Sequence, residues 1–254
     1  MMLKSVLRWS SSIAEIAAVV VVVMLAKGAV AEPFYVPSPS MEPTLLIGDA
    51  LVASKYPYGY GVASVPMPIT LGTTPRVFAS LPERGDVVVF RLPSDITQSW
   101  VKRVVGLPGE RVQMRGGQLF INDQAAQLRP DGVGQTESED GSRMSAPRFI
   151  ETLPGGRSHP IFKVAIDNPL DNTPEITVPP GHLFVLGDNR DRSADSRVLS
   201  QVGYVPFGNF IGKAEARFFS IKDNVPPWQI WQWPANVRWD RMIQSVYQNY
   251  TTTP

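Results

Sequence analysis

The chain has 254 residues, 24 Lys+Arg against 23 Asp+Glu, two histidines, 24 prolines and no cysteine. A net charge of +1 gives no basic surface for nucleic acid, and the missing thiols exclude disulfides, thiolate catalysis and Cys-based metal sites. Proline at close to double its usual share of about 5% disfavours long helices and leaves strands, turns and loops.

Ile16 to Ala26 carries no charge, with Lys4 and Arg8 before it and Lys27 after it. Two readings are open. One is a removable secretory leader, with Ala29-Val30-Ala31 as the small-x-small cleavage pattern. The other is a transmembrane helix over 13–31, close to the roughly 20 residues a bilayer requires, with Lys27 snorkelling to the interface. Both keep Lys4 and Arg8 in the cytoplasm and put the rest of the chain outside it.

After that segment, β-branched runs alternate with Gly/Pro punctuation. Strands are expected after the Gly48-Asp49 turn, over Asp86–Phe90, over Trp100–Val105 and in a hairpin around Arg115-Gly116-Gly117. Further strands are expected at Phe162–Ile166, Ile176–Val178, Leu183–Leu186, Gly203–Pro206 and Ala214–Ile221. Gln135–Ser142 is polar and reads as an exposed loop. Trp239, Ile243 and Val246 share one face at helical spacing, suited to packing on the β body or to a membrane interface. The pattern predicts a mainly antiparallel β protein.

Three segments carry candidate chemistry. Pro37-Ser38-Pro39-Ser40-Met41-Glu42-Pro43 holds two serines stiffly, and a serine becomes a nucleophile only beside a base. Neither His159, in a Gly-rich loop, nor His182, in a Pro-Pro-Gly-His turn, has an obvious catalytic partner; both read as structural or solvated. Lys102 is a second candidate base. Strand alternation in WVKRVV groups it with Trp100 and Val104, while Arg103 takes the other face toward solvent or a carboxylate. If that first face is inward, desolvation lowers the amine's pKa toward a useful range. The alternative is a strand lysine whose head reaches water. The third segment is Gly187–Arg197, GDNRDRSADSR. It reads as a solvated turn, as a calcium loop or as a polar network beside a site. The calcium spacing fails for want of a central Gly and terminal Glu. Within the network reading, Ser193 could donate a hydrogen bond that orients an amine.

SPSMEPTL (38–45), RGDVVVF (84–90), KRVVGLPG (102–109) and GDNRDRSADSR (187–197), in that order behind an apolar segment, closely resemble the type I signal peptidase family of bacteria. The resemblance runs from the apolar segment to Phe219 and is weakest over about 113–177. It favours the uncut anchor. It implies an antiparallel β-sheet catalytic core (32–112 and 178–254), an inserted smaller non-catalytic β subdomain (113–177), a transmembrane helix (13–31) and a cytoplasmic N-terminus (1–12). It also implies a serine–lysine protease, with Ser40 as nucleophile and Lys102 as general base. Ser38 matches the oxyanion-hole position and Ser193 the serine that positions the amine. Asp195 matches the supporting aspartate, paired with Arg197; Asp188 and Arg103 form a second pair. Pro39 replaces the commoner glycine of the serine box. The implied substrates are preproteins carrying signal peptides, cut after small-x-small sites. The implied place is the bacterial cytoplasmic membrane, single-pass, with the catalytic part on the periplasmic side. No metal, cofactor, nucleic acid or obligate oligomer is implied. Two other readings remain: a self-cleaving serine–lysine relative, which lacks any helix-turn-helix pattern before Ser40, and a membrane-tethered binding module using the Trp-rich end.

Overall fold

The computed structural model describes residues 30–64, 75–137, 142–164, 167–222, 229–248, 225 and 250, with 15, 16, 18, 19 and 23 of the apolar segment. Those five N-terminal residues are helical and exposed, but most of the 13–31 span lies outside the described residues. Among the described residues no helix is long and apolar enough to cross a membrane. Ala31, expected at the end of that helix, instead opens strand β1, because its backbone pairs with Ser54.

Fifteen strands are described: β1 (Ala31–Tyr35), β2 (Asp49–Ser54), β3 (Val87–Leu92), β4 (Asp95–Gly106), β5 (Arg111–Arg115), β6 (Gln118–Ile121), β7 (Gln124–Ala125), β8 (Gln127–Glu137), β9 (Arg143–Thr152), β10 (Ser158–Phe162), β11 (Ile176–Thr177), β12 (His182–Leu186), β13 (Val205–Pro206), β14 (Phe210–Ser220) and β15 (Gln244–Ser245). The main sheet runs β1-β2-β14-β3-β4-β12-β13, with β15 beside β14. Its ladders are antiparallel. The segment from Arg111 to Thr177 builds two smaller antiparallel sheets, β11-β5-β6-β7 and β10-β9-β8. The protein is mainly β and antiparallel, as its residue pattern predicts.

The run Val87-Val88-Val89-Phe90 is apolar at every position because β3 is buried on both faces. Val87 and Val89 join Met41, Leu45 and Leu51 in one core, while Val88 and Phe90 join Val104, Val185 and Phe210 in the other. A third cluster ties the small β5–β6 hairpin to the main sheet through Val105, Val112, Leu119 and Phe184. Gly116 and Gly117, both at positive φ, close that hairpin in two residues, the geometry a tight hairpin turn requires.

Three expectations are corrected. Gln135–Glu137 end strand β8 rather than forming a loop, and Thr136 is only 1% exposed; residues 138–141 lie outside the described set. The strand expected from Phe162 ends there instead, since the pairing of β10 with β9 runs from Ser158 and stops at Phe162, and 165–166 are outside the described residues. Trp239, Ile243 and Val246 share no helix face. A 3-10 turn and β15 separate them, leaving Trp239 66% and Ile243 83% exposed while Val246 enters the core. Trp233 packs on Phe219 at 5.2 Å between ring centroids.

Candidate active site

Between β1 and β2 the chain makes one 3-10 turn, Pro39–Met41, whose first residue has its φ fixed by the proline ring. Ser38 precedes it in extended conformation. Met41 packs into the core, so the turn is anchored from below. Ser40 is 7% exposed, and its Oγ lies 3.2 Å from Ser38 Oγ.

Lys102 comes from β4, paired with Val88 of β3. Its Nζ donates to Ser40 Oγ at 2.7 Å and sits 5.2 Å from the Trp100 ring centroid. The residue is 3% exposed. Burial pushes the amine down to about 8, with Arg197 acting in the same direction and Asp195 and Asp188 opposing it. The escape of a strand lysine to water does not occur here.

The adjacent Arg103 turns to the other face and meets Asp188 through two charge-assisted bonds, Nε–Oδ1 at 2.8 Å and Nη2–Oδ2 at 2.6 Å. Thr44 also donates to Asp188 Oδ2. Desolvation opposes Asp188's ionisation, but Arg103 outweighs it and the carboxyl stays below the usual range. Arg197 grips Asp195 through Nε and Nη2, each at 2.8 Å, and Asp195 accepts the Gly187 N–H. Asp191 meets Lys163. The aspartates of this loop therefore face cations of the protein itself.

Ser193 stands close to the Pro39–Met41 turn but not as the sequence suggested. Its hydroxyl donates to the Ala194 carbonyl at 3.3 Å rather than to Lys102. It packs against Gly187, where an added Cβ would come within 2.1 Å of Ser193 Oγ and 2.5 Å of the Ser40 carbonyl oxygen. Only glycine fits that approach.

Sequence reasoning missed several members. Asn189 donates its backbone N–H to Ser40 O and its side-chain amide to Pro39 O. The only cue was its place beside Asp188. His159 is buried between Glu151 and Asp188 beside Arg103, and its burial lowers the imidazole pKa, which favours the neutral form. It lies within a structural charge network with Glu151, Asp188 and Arg103.

A cavity of about 550 Å³ opens over Ser40 and Lys102. Chain 34–40 forms one wall and chain 98–102 another, with Leu51 and Val89 between them. Among the described residues no cluster of His, Asp and Glu suits a metal ion.

The sequence profile of the family described as "Signal peptidase, peptidase S26" matches residues 8–219. The chain belongs to that family. Curated relatives named "Signal peptidase I" agree: that of Rickettsia akari is 39% identical over 90% of each chain, and that of Rickettsia typhi 38% identical over 90% of each. The solved signal peptidase I of Enterococcus faecalis V583 shares 27% identity over 53% of this chain and 97% of that one, with a TM-score of 0.32. Membership of the signal peptidase family makes this chain a peptidase that removes signal peptides, so preproteins carrying signal peptides are its substrates.

Proposed function

We propose that this signal peptidase works through a serine–lysine dyad. Neutral Lys102 takes the Ser40 proton, and Ser40 Oγ attacks the scissile carbonyl. Ser38 Oγ and the Ser40 N–H stabilise the oxyanion, which the 3.2 Å approach of the two serines supports. Protonated Lys102 then gives its proton to the leaving amine. Water activated by the same amine releases the acyl-enzyme. The observation that carries the reading is one buried amine, 2.7 Å from one hydroxyl, whose pKa desolvation lowers to about 8.

The cavity over the dyad takes an extended peptide that hydrogen-bonds to its walls and puts small side chains, typically Ala, at the first and third positions before the cut. The apolar stretch 16–26 belongs to an uncut anchor in the cytoplasmic membrane, which sets the nucleophile at the periplasmic surface. The catalytic core is 32–112 with 178–254, and 113–177 is an insertion. Asp195–Arg197 and Asp188–Arg103 brace the site, and Ser193 fills the space behind Gly187.

Full-length protein in detergent, given a preprotein, tests this. Wild type cleaves it, while Ser40→Ala and Lys102→Met keep the fold and do not. Substantial cleavage by Lys102→Met removes Lys102 from its role. N-terminal sequencing of the mature chain separates anchor from leader.

A further inference from the structure

The inserted segment reaches the nucleophile turn at one buried point, the end of β8. Thr136 donates its hydroxyl to Glu42 Oε2, and the Glu137 N–H donates to the same oxygen at 3.2 Å. Thr136 Oγ1 in turn accepts from Asn189 Nδ2 at 3.0 Å. The same amide nitrogen donates to Pro39 O at 3.2 Å, and the Asn189 backbone N–H donates to Ser40 O at 3.1 Å. Both Thr136 and Asn189 are buried.

With Glu42 ionised, as at pH 8, the directions of these bonds are fixed. A carboxylate only accepts, so Glu42 turns the Thr136 hydrogen toward itself and leaves a lone pair for Asn189. The two hydrogens of the Asn189 amide then have two acceptors, Thr136 Oγ1 and Pro39 O. A flipped amide would aim Oδ1 at the Pro39 carbonyl, two acceptors face to face. The Pro39 carbonyl and the Ser40 N–H belong to one planar peptide unit. Holding that carbonyl at one end therefore aims the N–H at the other, and this N–H is the backbone donor to the oxyanion in the reading above, on which this inference rests.

We infer that Thr136, with Glu42 and Asn189, forms a positioning relay by which the inserted segment orients the Ser40 N–H. The insertion is then part of the catalytic apparatus rather than a bystander. Thr136 touches no reacting atom; it acts through Asn189. Burial pushes the Glu42 carboxyl up to about 7, so at pH 8 it is largely ionised and accepts from Thr136. Glu137 and Arg143 from the hairpin, and Lys222 and Arg238 from the core, are the other charged groups around it.

The test is steady-state cleavage of a preprotein at pH 8 by full-length wild type, Thr136→Val, Thr136→Ser, Asn189→Leu and the Thr136→Val/Asn189→Leu double variant. Valine keeps the shape of threonine and removes both hydrogen bonds. Thr136→Val should lower kcat about tenfold with KM within about twofold, since small losses of alignment are costly at a reacting centre. The pH at which activity rises should not move, because Lys102 is untouched. Thr136→Ser, which retains the hydroxyl, should return kcat to within about twofold of wild type. The double variant should be no worse than the poorer single variant, as expected of residues acting as one unit. Wild-type kcat in Thr136→Val, a loss confined to KM, no rescue by serine, or additive losses would each overturn the relay. Failure of the dyad reads differently, as cleavage surviving in Lys102→Met.

Discussion

Lys102 and Arg103 are consecutive on β4, both buried, both cationic by default, and the fold treats them oppositely. Arg103 leaves the strand on one side and finds a carboxylate in fork-to-fork geometry, so its charge is matched within the interior. Lys102 leaves on the other side and finds a hydroxyl and an indole. Asp195 and Asp188 help its charge only at a distance, and desolvation prevails. Burial disfavours charge on both residues; what separates them is whether a carboxylate sits within hydrogen-bond reach to offset it. One side of the strand uses a buried charge for structure, and the other holds the buried amine on which the proposed dyad rests.

The largest effect should come from erasing the reactive side. Lys102→Met should abolish preprotein cleavage and yet stabilise the fold. Burial holds the folded amine at about 8 against 10.5 in its ordinary state, so the penalty is full below about 8 and fades as pH climbs toward 10.5. At pH 7 the variant should gain up to about 3 kcal/mol in urea unfolding, and near pH 10.5 most of that gain should vanish. Erasing the structural side should do the reverse. Arg103→Met leaves Asp188 buried and unpaired, so it should lose about 3–5 kcal/mol in the same assay.

A milder change sharpens the contrast. Asp195 raises the Lys102 pKa through its charge, and Arg197 lowers it. Asp195→Asn removes the first influence and frees the second, so the acid limb of the activity profile should move to lower pH by up to about one unit. At the small end, the exposed Arg111–Asp123 pair sits far from this economy of buried charge. Arg111→Ala should change unfolding free energy by less than about 1 kcal/mol and leave cleavage untouched.

The strands around the site were legible because β-branched runs and Gly/Pro breaks record burial and turning directly. Val87–Leu92 and His182–Leu186 fall where their apolar runs predict. Strands β8 and β9 were not legible, because their exposed positions carry polar side chains and Pro130, Gly132 and Gly134 interrupt the pattern. The C-terminal Trp spacing misled for a related reason: periodicity at three positions cannot foresee that β14 recruits Gln244 and Ser245 as a strand. Within the site, strand alternation alone left Lys102 open to solvent; the resemblance of the segments taken together named Ser40 and Lys102, and the structure brings their side chains together. Asn189 and Thr136 could not, since nothing local in a polar tract says which amide faces a carbonyl 150 residues earlier in the chain.

The most direct test is the pH dependence of kcat/KM for preprotein cleavage by the full-length protein. A single-proton rise centred near pH 8, with no activity at any pH in Lys102→Met, is the predicted result. A rise centred near pH 6.5, the range of an ordinary imidazole, or one centred near the 10.5 of an unperturbed amine, would contradict it.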